Sequence, residues 1–234
     1  MKLRRTPVVM MWLAVAVAAA VLIAEALPAR RSHAAPAGFG GVRPAAAPIA
    51  PSKTFPPFAQ AAGVTLYLPQ AAPVAVLFHE ASSREALAMA PYGRVRRNAN
   101  RTRFIPPDPP APGRPYSVMS SRGRGTAGSS AVDIVARAGS TLYAPVTGTV
   151  VAVRGYWLYN SFEDIRVEIA PEGQPGIRVV MIHLERVVHI RVGQHVIASQ
   201  TPIGRPRVLP FHSQTDTYTG THDPHVHLEI KRVA

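Results

Sequence analysis

The stretch from 220 to 230, GTHDPHVHLEI, sets two histidines, His225 and His227, on either side of one valine. In an extended strand, alternate side chains share a face. His225, His227 and Glu229 then lie on one face, and Val226, Leu228 and Ile230 lie on the other. The spacing predicts a strand that buries its apolar side and turns two imidazoles toward solvent or a groove. Neutral imidazole is a common zinc ligand and a base near neutral pH. The competing reading is a polar outer face that happens to be rich in histidine.

Upstream of this strand the chain keeps the same texture back to Tyr116. SAVDIVA (130–136) reads as a strand, and STLYAPVTGTVVAVRGY (140–156) as a turn followed by a strand. DIRVEIAPEGQPGIRVVMIHL (164–184) reads as a hairpin with its turn at EGQPG, and IRVGQHVIASQTPIG (190–204) as short strands around glycine turns. Short strands at close spacing without a helical period predict an all-β, antiparallel β-sheet core over 117–234. Tyr156, Trp157 and Tyr159 are expected in a loop between strands, where aromatic rings either stack on sugar or peptide or pack on the sheet.

The first half differs. Residues 1–128 hold 16 Lys+Arg against 4 Asp+Glu, a balance of +12, and 17 of the 24 prolines; residues 129–234 hold 10 against 9, a balance of +1. A basic, Pro-rich tether ahead of a balanced folded domain is implied. Lys2, Arg4 and Arg5 precede an uncharged run from Thr6 to Ala24, the pattern of a signal peptide or membrane anchor over 1–31. Either predicts export to the cell envelope, as an extracellular protein or one anchored to the cytoplasmic membrane. An Ala/Pro-rich linker is expected over 32–62 and a small accessory lobe over 63–93, with strands at GVTLYLP and PVAVLFHE and a helical turn or two at ASSREALAMA. A basic, Pro-rich connector fills 94–116. Such a tether suits anionic wall polymer or lipid; the export pattern argues against nucleic acid. With no cysteine in the chain, any metal site must use His, Asp or Glu.

Three places in the β domain set polar groups on apolar strands: Asp133 within AVDIV, His183 within VVMIHLE, and the pair His225 and His227. A carboxylate among apolar neighbours is costly unless it is paired or holds a metal. Five segments run here in a recognisable order: AVDI, APVTGTVV, IHL, IRVGQHVIASQTPIG and PHVHLEI. On these, 117–234 resembles the β-sheet core domain of M23 (LytM/lysostaphin-type) zinc metallopeptidases, which cut peptide cross-links of peptidoglycan. The resemblance implies a Zn2+ site with Asp133 and His227 as ligands, and His183 and His225 as catalytic partners serving the activated water and the transition-state charge. It implies peptidoglycan peptides as partners.

One position departs from the pattern. Four residues before Asp133 the family carries a ligand histidine, and here stands Ser129, a poor zinc ligand. Strand alternation puts Ser129, Ala131 and Asp133 on one face, so a hydroxyl stands where the family has an imidazole. His222, in a turn three residues before His225, and His79, beside Glu80 in LFHEA, are the two possible substitutes. His189, His195 and His212 have no positional claim. Two function readings stay open: a degenerate member that binds wall peptides or regulates a hydrolase, and an active endopeptidase with a substitute ligand. A third, a lipoyl-like adaptor barrel, suits the glycine turns but leaves the Asp and His set unexplained.

Overall fold

A computed structural model describes residues 54–96, 114–185 and 190–233. The export segment 1–31, the linker up to residue 53, most of the basic connector and His189 lie outside the described residues. In chain order the strands are β1 (Pro57–Ala61), β2 (Val64–Tyr67), β3 (Ala75–His79), β4 (Ala90–Pro91), β5 (Ser117–Val118), β6 (Ala131–Val135) and β7 (Leu142–Tyr143). There follow β8 (Gly148–Leu158), β9 (Phe162–Pro171), β10 (Ile177–Leu184), β11 (His195–Val196), β12 (Pro202–Gly204) and β13 (His225–Arg232). One short helix, α1 (Gln214–Thr219), precedes the last strand. The described residues are nearly all β, as the sequence pattern predicts.

The main sheet has eight strands in the order β11-β8-β9-β10-β13-β6-β3-β5, antiparallel except for the β3–β5 pair. A β2-β1-β4 sheet and a β12-β7 pair complete it. One face of the main sheet carries Phe78, Val132, Ile134, Met181, Val226, Leu228 and Ile230, which pack with Phe58 and Leu66 of the small sheet into one core. The other face carries the histidines. The alternation in β13 is thus split between core and site. β8 begins with Gly148 because a Cβ there would lie 2.1 Å from the Ala170 carbonyl oxygen of β9.

Several expectations are corrected. Residues 57–61 are not linker but strand β1, and the segment 63–93 is no separate lobe. β3 inserts beside β6 in the main sheet, with Leu77 opposite Asp133 and His79 opposite Ala131. The reason is apolar content: all five β3 residues are buried, so the strand is stable only inside a sheet with both faces covered. ASSREALAMA forms no helix; its backbone instead bonds across, Leu87 N–H to the Ile230 carbonyl and Met89 N–H to the Ser129 carbonyl. Tyr156 and Trp157 belong to β8 itself, and only Tyr159 lies in the turn. Within the basic stretch, Arg114, Arg122 and Arg124 are engaged by the folded body, through the carbonyls of Ala71 and Pro73, through Gln214, and through the Glu80 carbonyl respectively. Among the described residues no helix is long and apolar enough to cross a membrane.

Candidate metal centre

The register fixes what meets what. Leu77, Asp133, His227 and Ile182 stand in one row across β3, β6, β13 and β10, all directed to the same face. The adjacent row holds His79, Ala131, Glu229 and Val180. His79 is therefore diagonal to Asp133, a separation that a long side chain spans. Ala131, beside it in the row, offers only a methyl group and leaves the imidazole room to lean over.

Three groups converge. His79 Nε2 lies 3.0 Å from Asp133 Oδ1, and His227 Nδ1 lies 2.8 Å from the same oxygen. Asp133 is 3% exposed and His79 1%. The ligand atoms of this trio all fall within 4.8 Å of one another. Ligands about 2.0–2.2 Å from a zinc ion sit roughly 3.3–3.6 Å apart at the corners of a tetrahedron, so small outward shifts would admit an ion.

The proton count says more than the distances. His79 Nδ1 faces the Glu80 carbonyl oxygen at 2.8 Å, so both partners of this ring are acceptors. His227 Nε2 faces Glu229 Oε1 at 3.2 Å, so both of its partners are carboxylates. A neutral imidazole has one N–H and satisfies one acceptor. Each neutral ring is therefore left with one lone pair facing an acceptor, a deficit that extra protons or a single cation among the three atoms can fill. With a cation there, His79 donates Nδ1–H to Glu80 and His227 donates Nε2–H to Glu229, the outer bonds that orient metal-ligating histidines. Thr215, carried by α1, donates its hydroxyl to the second oxygen of Asp133 at 2.7 Å, and Arg122 stands 3.7 Å from that oxygen. The donor set fits zinc.

Electrostatics separate the imidazoles. Burial opposes the charged form of His227, but hydrogen bonds to Asp133 and Glu229 push its pKa up to about 9. Burial lowers His79, with Asp133 pulling the other way. The difference follows from their partners: two carboxylates for His227, one carboxylate and a neutral carbonyl for His79. Burial pushes His225 down to about 4 against the attraction of Asp133, so it is a neutral ring at pH 7. Burial alone would raise the Asp133 carboxyl, yet the imidazoles of His79 and His225 and bonds from His227 and His79 hold it well below the usual range.

The centre opens onto a groove of about 830 Å³ lined by Asp133, His183, His225 and His227, with Arg122 and Tyr159 among its walls. His183 enters it from a bulge: Met181 pairs with Val167 and Leu184 with Ile165, so β10 carries one residue more than β9. His183 has φ +63, a conformation that costs a non-glycine residue on the order of 1–3 kcal/mol. The bulge re-aims the ring to within 5.3 Å of His225, edge to face.

The remaining histidines separate cleanly. His222 is half exposed and pairs with Asp216 at 3.1 Å, and it is not one of the clustered ligand groups. His195 pairs with Glu172 on the surface. His212 lines the groove but is exposed. Ser129 is not on the Asp133 face of β6, because the strand begins at Ala131 and Ser129 lies in the turn before it, outside the groove lining. Ser129→His is accordingly expected to leave zinc per chain unchanged when measured by elemental analysis; a gain in bound zinc would return position 129 to the site. Sequence reasoning missed Thr215, although its helix is signalled by the capping box of Ser213 and Asp216. It also missed Asp164, which the bulge brings to His183 and which no local pattern marks.

A mononuclear metal centre of two imidazoles and a carboxylate is thus what this groove can hold. No protein-family profile matches the chain, and no curated protein matches it. Among solved structures it is similar to a zinc-containing peptidase from Vibrio cholerae, at 18% identity over 43% of this chain and 26% of that one, TM-score 0.31. It is also similar to lysostaphin, at 22% identity over 44% and 36%, TM-score 0.32. A peptidase M23 from Pseudomonas aeruginosa gives 20% identity over 43% and 37%, TM-score 0.30. The chain spans 26%, 36% and 37% of the lengths of these three proteins. Likeness of this size assigns neither family nor activity.

Proposed function

We propose that the chain is an M23-type zinc metalloendopeptidase that hydrolyses peptide cross-links of peptidoglycan, with His79 as its third protein ligand. The observation that carries this reading is the convergence of His79, Asp133 and His227, each oriented by a second partner, with Asp133 and His227 lining an open groove and His79 buried behind them. The motif order AVDI, IHL and PHVHLEI supports the substrate class. Zinc held there supplies Lewis acidity, which polarises a scissile carbonyl and acidifies water. The protein's own part is separate. His183 presents an imidazole to the groove that accepts a proton from the attacking water. His225, neutral and buried, donates a hydrogen bond to the oxygen on which negative charge develops.

The degenerate reading, a wall-peptide binder that does not cut, is favoured by one observation, Ser129 at the place where the motif carries histidine. One experiment separates the two. The full-length protein is purified, its zinc measured, and a cross-linked peptidoglycan fragment incubated with it. About one zinc per chain is expected, with new amine termini that vanish on chelation and return with zinc. Stoichiometric zinc without cleavage would leave the binder; absence of zinc would remove the centre.

A further inference from the structure

One wall of the groove is held up by a buried acid that the hydrolytic reading does not itself employ. Asp164 of β9 is 3% exposed. Its Oδ2 lies 2.6 Å from His183 Nδ1 and accepts the Tyr156 hydroxyl at 2.7 Å. Its Oδ1 accepts the Ile165 N–H at 2.8 Å, with the Arg207 guanidinium 3.8 Å away. Burial would raise this carboxyl, but the hydrogen bonds from His183 and Tyr156 hold it below the ordinary range, so it is an anion that only accepts. The proton between it and His183 therefore sits on Nδ1, and in the neutral ring the other nitrogen, Nε2, carries the lone pair. His183 stands at a bulge with φ +63, outside the β9 register; its ring makes a hydrogen-bonded contact with Asp164, which orients it.

We infer that Asp164 is a positioning residue that fixes His183 as its Nδ1–H tautomer and turns the basic Nε2 into the groove, with the Tyr156 hydroxyl bracing the carboxylate. For its effect on turnover the inference rests on the hydrolytic reading; for the tautomer it rests on these contacts alone. Asn would keep one acceptor in the same shape, whereas Ala would keep none.

The test uses the full chain labelled with 15N at histidine, the His183 signals being assigned by their loss in His183→Asn. In the wild type the ring is expected as the Nδ1–H form, with a strongly hydrogen-bonded Nδ1 proton far downfield. Asp164→Ala is expected to abolish that proton signal and mix the tautomers. It should also lower kcat about 10- to 100-fold, as loss of an orienting partner typically does, with KM and zinc per chain unchanged. Asp164→Asn, the variant to read if the alanine chain does not fold, should shift the tautomer balance and kcat in the same direction by less. Tyr156→Phe should keep the tautomer and broaden the Nδ1 proton. A wild-type His183 protonated on Nε2, or an unchanged tautomer in both Asp164 variants, overturns the assignment. If the wild type cleaves nothing, the hydrolytic reading falls and the tautomer measurement still decides the role of Asp164.

Discussion

His79→Ala is expected to empty the metal centre. Elemental analysis should give about one zinc per chain for the wild type and close to none for the variant, and cleavage of peptidoglycan fragments should fall to background. His222→Ala should retain its zinc, since that ring pairs with Asp216 instead. The variant also loses a buried partner of Asp133. Leaving a buried group short of one hydrogen-bond partner costs about 1–3 kcal/mol; His227 and Thr215 still hold the carboxylate, so the lower end of that range applies to His79→Ala and urea unfolding would register it. Full zinc occupancy in His79→Ala would transfer the third ligand elsewhere and dissolve the centre as described.

A chain that begins at residue 117 is expected to lose both the fold and the zinc. It lacks β1 to β4, and with them Phe58, Leu66, Leu68, Val76 and Phe78, all buried in the core. Each large apolar side chain contributes roughly 1.5–3 kcal/mol by burial, and five of them rival the whole stability of a typical domain, about 5–15 kcal/mol. β6, still paired with β13, would also become an edge strand. Circular dichroism should show no cooperative thermal transition for this fragment, and it should bind no stoichiometric zinc. A cooperative, zinc-loaded fragment would mean that β3 decorates the sheet without completing it.

Some of this is legible in the sequence for a clear reason. AVDIV and HVHLEI alternate around a half-buried sheet, so Val132, Ile134, Val226, Leu228 and Ile230 reveal the core face, and Asp133, His225 and His227 the other. The EGQPG turn marks the β9–β10 hairpin. His79 can be named as a possible ligand because it is a histidine next to a buried run, but its place beside Asp133 depends on which strand β3 chooses to pair with. That choice is made by tertiary packing, 54 residues away in the chain. The same limit hides Asp164, which meets His183 only because a bulge shifts the register, and misplaces Ser129, because strand alternation read beyond Ala131 continues where the strand itself does not.

The separation between His79 and Asp133 has a consequence for the mechanics of the chain. An ion bound by His79, Asp133 and His227 ties together points 54 and 94 residues apart, as a cross-link would. For a covalent bridge, closing a loop of that first length removes unfolded-chain entropy worth about 4 kcal/mol. The protein has no cysteine with which to form such a bridge. In this fold the same three side chains that would activate a substrate would also serve as the clasp that keeps β3, β6 and β13 together.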